Sequence, residues 1–173
     1  MPFDPNQPRL IRCLDLDSPV NTVAWSPDGR LLATADDARR VTVFTREGRR
    51  LWQAAGHEQR VWSVAWSPDG RWLLATTSAA SGFDVIAIDL AGHGESQRFI
   101  DSPADDLNAE FSPDGRWVAY QSRRSGQFEV WVTPGPGAPA PGAAGPGDQE
   151  VRVSAGGGTR PVWTQNGREL RSE

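Results

Sequence analysis

Apolar and polar residues alternate along this chain in short runs, each closed by turn-forming residues. Val20–Trp25 alternates with Val23 and Trp25 on one face, the period of two expected of a half-buried strand. Runs at 31–35, 41–45 and 50–54 follow, separated by 26–29, by Asp36-Asp37 and by Glu47-Gly48. The same set of four returns at 61–66, 72–77, 84–89 and 97–100, and again at 107–111, 117–121, 128–133 and 151–154. A further set supplies two runs, 161–163 and 169–171. No stretch longer than a turn carries helical periodicity, so the pattern predicts an all-β chain of short strands.

The turn between the first and second run of each set is itself a repeat. Trp25-Ser26-Pro27-Asp28-Gly29-Arg30 returns as Trp66-Ser67-Pro68-Asp69-Gly70-Arg71 and as Phe111-Ser112-Pro113-Asp114-Gly115-Arg116. It returns in eroded form as Trp163-Thr164-Gln165-Asn166-Gly167-Arg168. Ser opens such a turn, Pro presets φ at the second position, and Gly takes the left-handed position. A period of roughly 40 to 50 residues marks an array of small supersecondary units. Four antiparallel strands per unit describe a β-propeller blade, and a sheet of that size cannot bury both faces alone. The expected fold is an all-β propeller with three complete four-stranded blades and a partial fourth. The blades are placed at about 18–54, 57–101, 105–154 and 159–173, in one domain. The aromatic before each turn (Trp25, Trp66, Phe111, Trp163) is expected to fill the space between neighbouring blades. Residues 9–16 read as an orphan outer strand. The stretch 134–147 is wholly Pro, Gly and Ala and is expected to be a loop inside the third blade.

Composition narrows the chemistry. The net charge is −4, against a nucleic-acid groove as the main business, and paired arginines such as Arg39-Arg40 and Arg123-Arg124 read as solvated turn flanks. One cysteine, Cys13, cannot form an internal disulfide or a cysteine-based zinc site. The first eight residues have neither the basic nor the apolar region of an export signal, and no run reaches membrane-spanning length. The expectation is a cytoplasmic protein that engages no membrane.

Gly56-His57 followed by the 61–70 strand and turn resembles a WD-repeat. The Trp-Asp pair that closes the third strand in that family is replaced by Phe44-Thr45 and Ile88-Asp89. The resemblance implies that His57 hydrogen-bonds inside its blade with Thr76 or Thr77 and a turn carboxylate. The second half, from Phe111 through Trp131 and again around Trp163, is similar to TolB-type propeller repeats, including those appended to bacterial serine/threonine kinases. No kinase motif accompanies them. Asp89-Leu90-Ala91-Gly92-His93-Gly94-Glu95-Ser96 is similar to a loop of α/β-hydrolases, but no Gly-x-Ser-x-Gly elbow occurs and no base is placed for Ser96.

The expected function is therefore non-catalytic: a platform for a protein or peptide partner, with no cofactor and no metal. Candidate partner contacts are Arg40, Arg60, Phe83 and Arg124, chosen from loops between strands. A regulatory propeller segment split from a kinase-like protein is the alternative, and a propeller-associated hydrolase a remote one. Because an open arc would expose apolar blade faces, self-association or origin in a longer propeller is expected over a closed monomer.

Overall fold

The computed structural model describes residues 13–54, 60–79, 82–92, 94–100, 102–137, 150–164 and 166–172. Every regular element among them is a strand. Strands β1 Val20–Trp25, β2 Leu31–Asp36, β3 Val41–Thr45 and β4 Arg50–Ala54 form one antiparallel sheet in chain order. So do β5 Val61–Trp66, β6 Trp72–Ala79, β7 Gly82–Asp89 and β8 Glu95–Ile100. The third sheet holds β9 Asp106–Phe111, β10 Trp117–Ser122, β11 Glu129–Pro134 and the short β12 Val151–Arg152. A hairpin of β13 Val162–Trp163 and β14 Leu170–Arg171 follows.

The repeated turn explains why the strands pair as they do. In the first copy Gly29 N–H donates to the Ser26 carbonyl at 2.8 Å, and Gly29 has φ 68°, a conformation that costs glycine little. The Ser26 hydroxyl donates to Asp28 Oδ1 at 2.6 Å and accepts the Leu31 N–H at 2.9 Å; Asp28 Oδ1 also accepts the Arg30 N–H at 3.1 Å. Ser67 with Asp69, and Ser112 with Asp114, repeat every one of these bonds. Thr164 and Asn166 reproduce them without a charge. The hydroxyl donated by the neighbouring serine holds the Asp28, Asp69 and Asp114 carboxyls below the usual carboxylate range. Each turn also fixes register, because the aromatic before it must face the second strand: Trp25 pairs with Leu32, Trp66 with Leu73, and Phe111 with Val118.

Alternation then gives each sheet two unlike faces. The face that carries the aromatic, here called the front, holds Val64, Trp66, Leu73, Ala75, Ile86 and Ile88 in the second sheet. These pack on the back of the first sheet, which offers Ala24, Leu31, Ala33, Ala35, Val41, Val43 and Trp52. The front of the third sheet (Ala109, Phe111, Val118, Tyr120, Trp131) packs in the same way on the second sheet's back (Ala65, Trp72, Leu74, Val85, Ala87, Ile100). Trp66 and Phe111 are 9% and 6% exposed. Small residues on the back leave room for the aromatic of the next front, which is buried there. Among the described residues two cores result, one at the first seam and one at the second, rather than one central core.

Two expectations are corrected. Trp25 does not lie between sheets: it is 53% exposed and Val23 58%, because no sheet precedes β1 among the described residues. The outer strand expected at 9–16 is contradicted only over its described part. Residues 9–12 fall outside the described part, and residues 13–16 belong to no sheet. The segment is acidic, and Asp17 is drawn to Arg40 instead, with Nη2 2.5 Å from Asp17 Oδ1. Asp15, Leu16 and Asp17 thereby lie over the first sheet's front and line a cleft of about 400 Å³ with Asp36, Arg40, Thr42 and Phe44. Of the Pro/Gly/Ala stretch, residues 138–147 lie outside the described part.

Candidate interaction rim

In antiparallel sheets of this order the repeated turns gather at one end, and the connections from second to third strand gather at the other. That second end is a rim built on a recurring backbone bond. Asp37 N–H donates to the Pro19 carbonyl, Ser78 N–H to that of Arg60, and Arg123 N–H to that of Asp105, at 3.0, 3.0 and 3.1 Å. All four residues expected to contact a partner are on this rim, but in different states.

Arg40 and Arg124 are engaged within the fold. Arg40 bridges Asp17 and Asp36, with Nη2 2.7 Å from Asp36 Oδ2, and its side chain is 20% exposed. The bonds to Asp17 and Asp36 push its pKa up. Arg124 lies 4.3 Å from the centre of the Trp131 ring and pairs with Glu150. Its Nη2 bonds the Tyr120 hydroxyl, which in turn donates to Glu150 Oε1 at 2.8 Å. Burial, and then the bond to Glu150, push the Tyr120 pKa up. Both arginines tie a turn to its own sheet, which leaves little of either to offer a partner.

Arg60 and Phe83 stand differently. Arg60 is 57% exposed at its side chain and reaches Asp37 Oδ1 across the first seam at 3.7 Å. Asn21 secures the same seam, its Nδ2 donating to Asp37 Oδ1 and to the Val61 carbonyl at 3.0 and 2.9 Å. Phe83 packs edge-on against Trp62, ring centres 6.0 Å apart at 75°. Trp62 is 41% exposed, and its indole N–H donates to Ser78 Oγ at 2.8 Å. Arg60, Trp62 and Phe83 thus make a basic and aromatic patch whose parts are held from below. Trp62 was missed in the candidate set. Alternation groups it with Val64 and Trp66 on the buried front, and the register shift between Val61 and Ser63, which the sequence does not signal, leaves it exposed.

Part of the other candidate chemistry is engaged within the fold. His57 and His93 lie outside the described residues. The Thr76 hydroxyl accepts from Ser63 Oγ at 2.9 Å. Asp89, the acidic residue of the hydrolase-like loop, pairs with Arg71 at 2.8 Å and accepts the Ala91 N–H, while Ser96 is exposed on β8. Among the described residues no three His, Cys, Asp or Glu side chains are grouped so as to hold a metal ion. At the turn end, a cleft of about 220 Å³ between the second and third sheets is lined by Asp69, Arg71, Trp72, Asp114 and Arg116. Arg71 lies over the Trp72 ring there, 5.3 Å from its centre. No described helix is long and apolar enough to cross a membrane.

Comparison with known proteins places this geometry. The family of the anaphase-promoting complex subunit 4 WD40 domain matches residues 23–87. No curated protein matches the chain. Among solved structures, the putative TolB from Agrobacterium tumefaciens aligns at 22% identity and a TM-score of 0.67 over 86% of this chain and 51% of its own. TolB from Acinetobacter baumannii aligns at 19% identity and a TM-score of 0.69, over 92% and 38% respectively. The tricorn protease aligns at 16% identity and a TM-score of 0.63, over 79% and 17%. The chain therefore spans about half or less of each of these structures. The identities are low and the likeness is one of fold. Repeated turn, sheet order and front-to-back packing agree with it: the chain has the fold of a run of β-propeller blades.

Proposed function

We propose that this chain is a non-catalytic interaction platform that seats a protein or peptide segment on its rim at Arg60, Trp62 and Phe83. One observation carries the reading. A large aromatic ring is left 41% exposed while its N–H is tied to Ser78 and its edge is braced by Phe83. A ring so held loses little freedom when a partner covers it, which favours binding over a mobile contact. Trp and Arg together are the residues that most often dominate protein interfaces. The patch fits a segment that brings an apolar side chain to the Trp62 ring and a carboxylate to Arg60. The likeness to WD-repeat blades supports a scaffold role in general terms.

The test is selection of peptides from a random displayed library on the immobilised chain. The selected peptides should share an acidic residue beside an apolar one. Trp62→Ala and Arg60→Glu should each weaken their binding about 10-fold or more. Peptides that bind both variants as well as the parent chain contradict the proposal.

A further inference from the structure

Reverse turns of one form recur through the chain. The N–H of the fourth residue donates to the carbonyl of the first, and the fourth residue has positive φ. The turns that close at Gly29, Gly48, Gly70, Gly115, Gly126 and Gly167 place glycine there, with φ between 66° and 97°. The turn Asp36-Asp37-Ala38-Arg39 has the same bond, from Arg39 N–H to the Asp36 carbonyl at 3.3 Å, and the same conformation, φ 65°. Here an arginine stands in the place of glycine, at a cost in backbone strain that glycine avoids. The bonds around this turn do not use the Arg39 side chain: Ala38 N–H donates to Ser18 Oγ, and Arg40 N–H to Asp36 Oδ1, both at 3.0 Å. Arg39 is exposed, and the neighbouring carboxylates are taken. Asp17 and Asp36 hold Arg40, while Asp37 holds Asn21 and Arg60. Among the described residues no carboxylate pairs with Arg39.

A second irregularity lies beside it. The inner strands of the first two sheets each carry an extra residue, Asn21 between Val20 and Thr22 and Trp62 between Val61 and Ser63. Such a bulge re-aims a side chain. Asn21 is turned onto Asp37 and the Val61 carbonyl, and Trp62 onto Ser78. Arg60 reaches Asp37, in the same turn as Arg39, across the first seam at 3.7 Å. The bulges and the strained turn therefore converge on one stretch of the rim.

We propose that Arg39 is a second cationic contact of the rim site, and that the occupant is an acidic peptide segment that crosses the first seam with one carboxylate at Arg60 and another at Arg39. The inference rests on the reading of Arg60, Trp62 and Phe83 as a peptide seat. Charge complementarity sets the chemistry. The two arginines stand on either side of the seam, beside an exposed indole, and a described carboxylate comes near only the first of them. Backbone strain of this kind clusters where ligands are clamped. A carboxylate at Arg39 meets a cation that no described acid of the fold competes for, whereas one at Arg60 shares it with Asp37.

The test runs one random displayed peptide library in parallel on the parent chain, on Arg39→Gly and on Arg39→Lys. Peptides selected on the parent and on Arg39→Lys should share two acidic positions, one beside the apolar residue and one further along. Those selected on Arg39→Gly should share only the first. Parent-selected peptides should bind Arg39→Gly about 3- to 5-fold more weakly at low ionic strength, the range of an exposed ion pair, and the difference should shrink as salt is added. Arg39→Gly should at the same time raise the melting temperature by about 2–4 °C, because glycine relieves the left-handed conformation. A residue with a merely structural role would lower it. The same two acidic positions on Arg39→Gly, a single acidic position on all three chains, or a melting temperature lowered by Arg39→Gly each overturns the role of Arg39 and leaves the rim reading standing. Selected peptides that bind Trp62→Ala and Arg60→Glu as well as the parent overturn the rim reading, and this inference with it.

Discussion

Trp25 and Trp66 share a residue type, a neighbouring turn and a register position, yet one is 53% exposed and the other 9%. The difference is the back face that each has to lie on. Trp66 has Ala24, Ala33 and Ala35, residues small enough to admit an indole, and a carbonyl to receive its N–H. Its energetic role follows. Trp66→Ala should destabilise the chain by about 3–5 kcal/mol in urea unfolding, the range for a large buried aromatic. Trp66→Phe keeps most of the apolar area but forfeits the bond to Ala24, and should cost about 1 kcal/mol. If Trp66→Ala costs no more than an exposed substitution, the seam is not where the structure places it. The aromatic slot was legible in the sequence because it recurs with the turn. Which slot is filled was not, since burial depends on a neighbour that local pattern does not encode. Trp62 was misplaced in another way: alternation groups it with the buried Val64 and Trp66, and only the register shift after Val61 and its contacts with Ser78 and Phe83 reveal it as a fixed, exposed patch.

Strands and turns were the most readable elements, and the reason is local. Ser-Pro-Asp-Gly carries its own hydrogen bonds within six residues, so chemistry and geometry coincide. Elements held by distant partners were harder to read. Residues 13–16 look like a strand edge, but Arg40 draws the neighbouring Asp17 across the first sheet instead. The fourth strand of the third sheet shrinks to Val151–Arg152, and a carboxylate does part of its work. Glu129, 2% exposed, accepts from the Ser154 hydroxyl, from Gln127 Nε2 at 2.8 Å and from Gly156 and Gly157 N–H at 3.1 Å each. The Ser154 and Gln127 bonds lead in lowering its pKa from 4.5 to about 2. A carboxyl lowered on folding stabilises fully above its unfolded value and loses that contribution as pH falls through its folded value. Stability from Glu129 should therefore be complete above about pH 4.5 and disappear between there and about pH 2. Glu129→Gln should be less stable than the parent at neutral pH, and the gap should narrow at pH 3, measured by urea unfolding at both. A gap that widens on acidification contradicts the clamp.

For the whole molecule, stability comes as a series of seams. Each sheet rests on the next and contributes little to those beyond it, as in repeat proteins whose energies add by neighbours. The sequence announces this arrangement through its period, and the fold class was legible on that ground alone. The rim was legible only in part. Arg40, Arg60, Phe83 and Arg124, picked only as loop residues, all fall at the end where the second-to-third strand connections gather. Their availability was not legible, because Asp17 and Glu150 lie far from Arg40 and Arg124 in sequence and claim them in space.

The front-to-back packing rule is tested most directly by hydrogen exchange at the indole N–H groups, followed by NMR on ¹⁵N-indole-labelled chain. The Trp66 indole, bonded to Ala24 beneath the second sheet's front, should exchange slowly, and that of Trp25 at close to the rate of free tryptophan. Equal rates at Trp25 and Trp66 would contradict the stacked-sheet account.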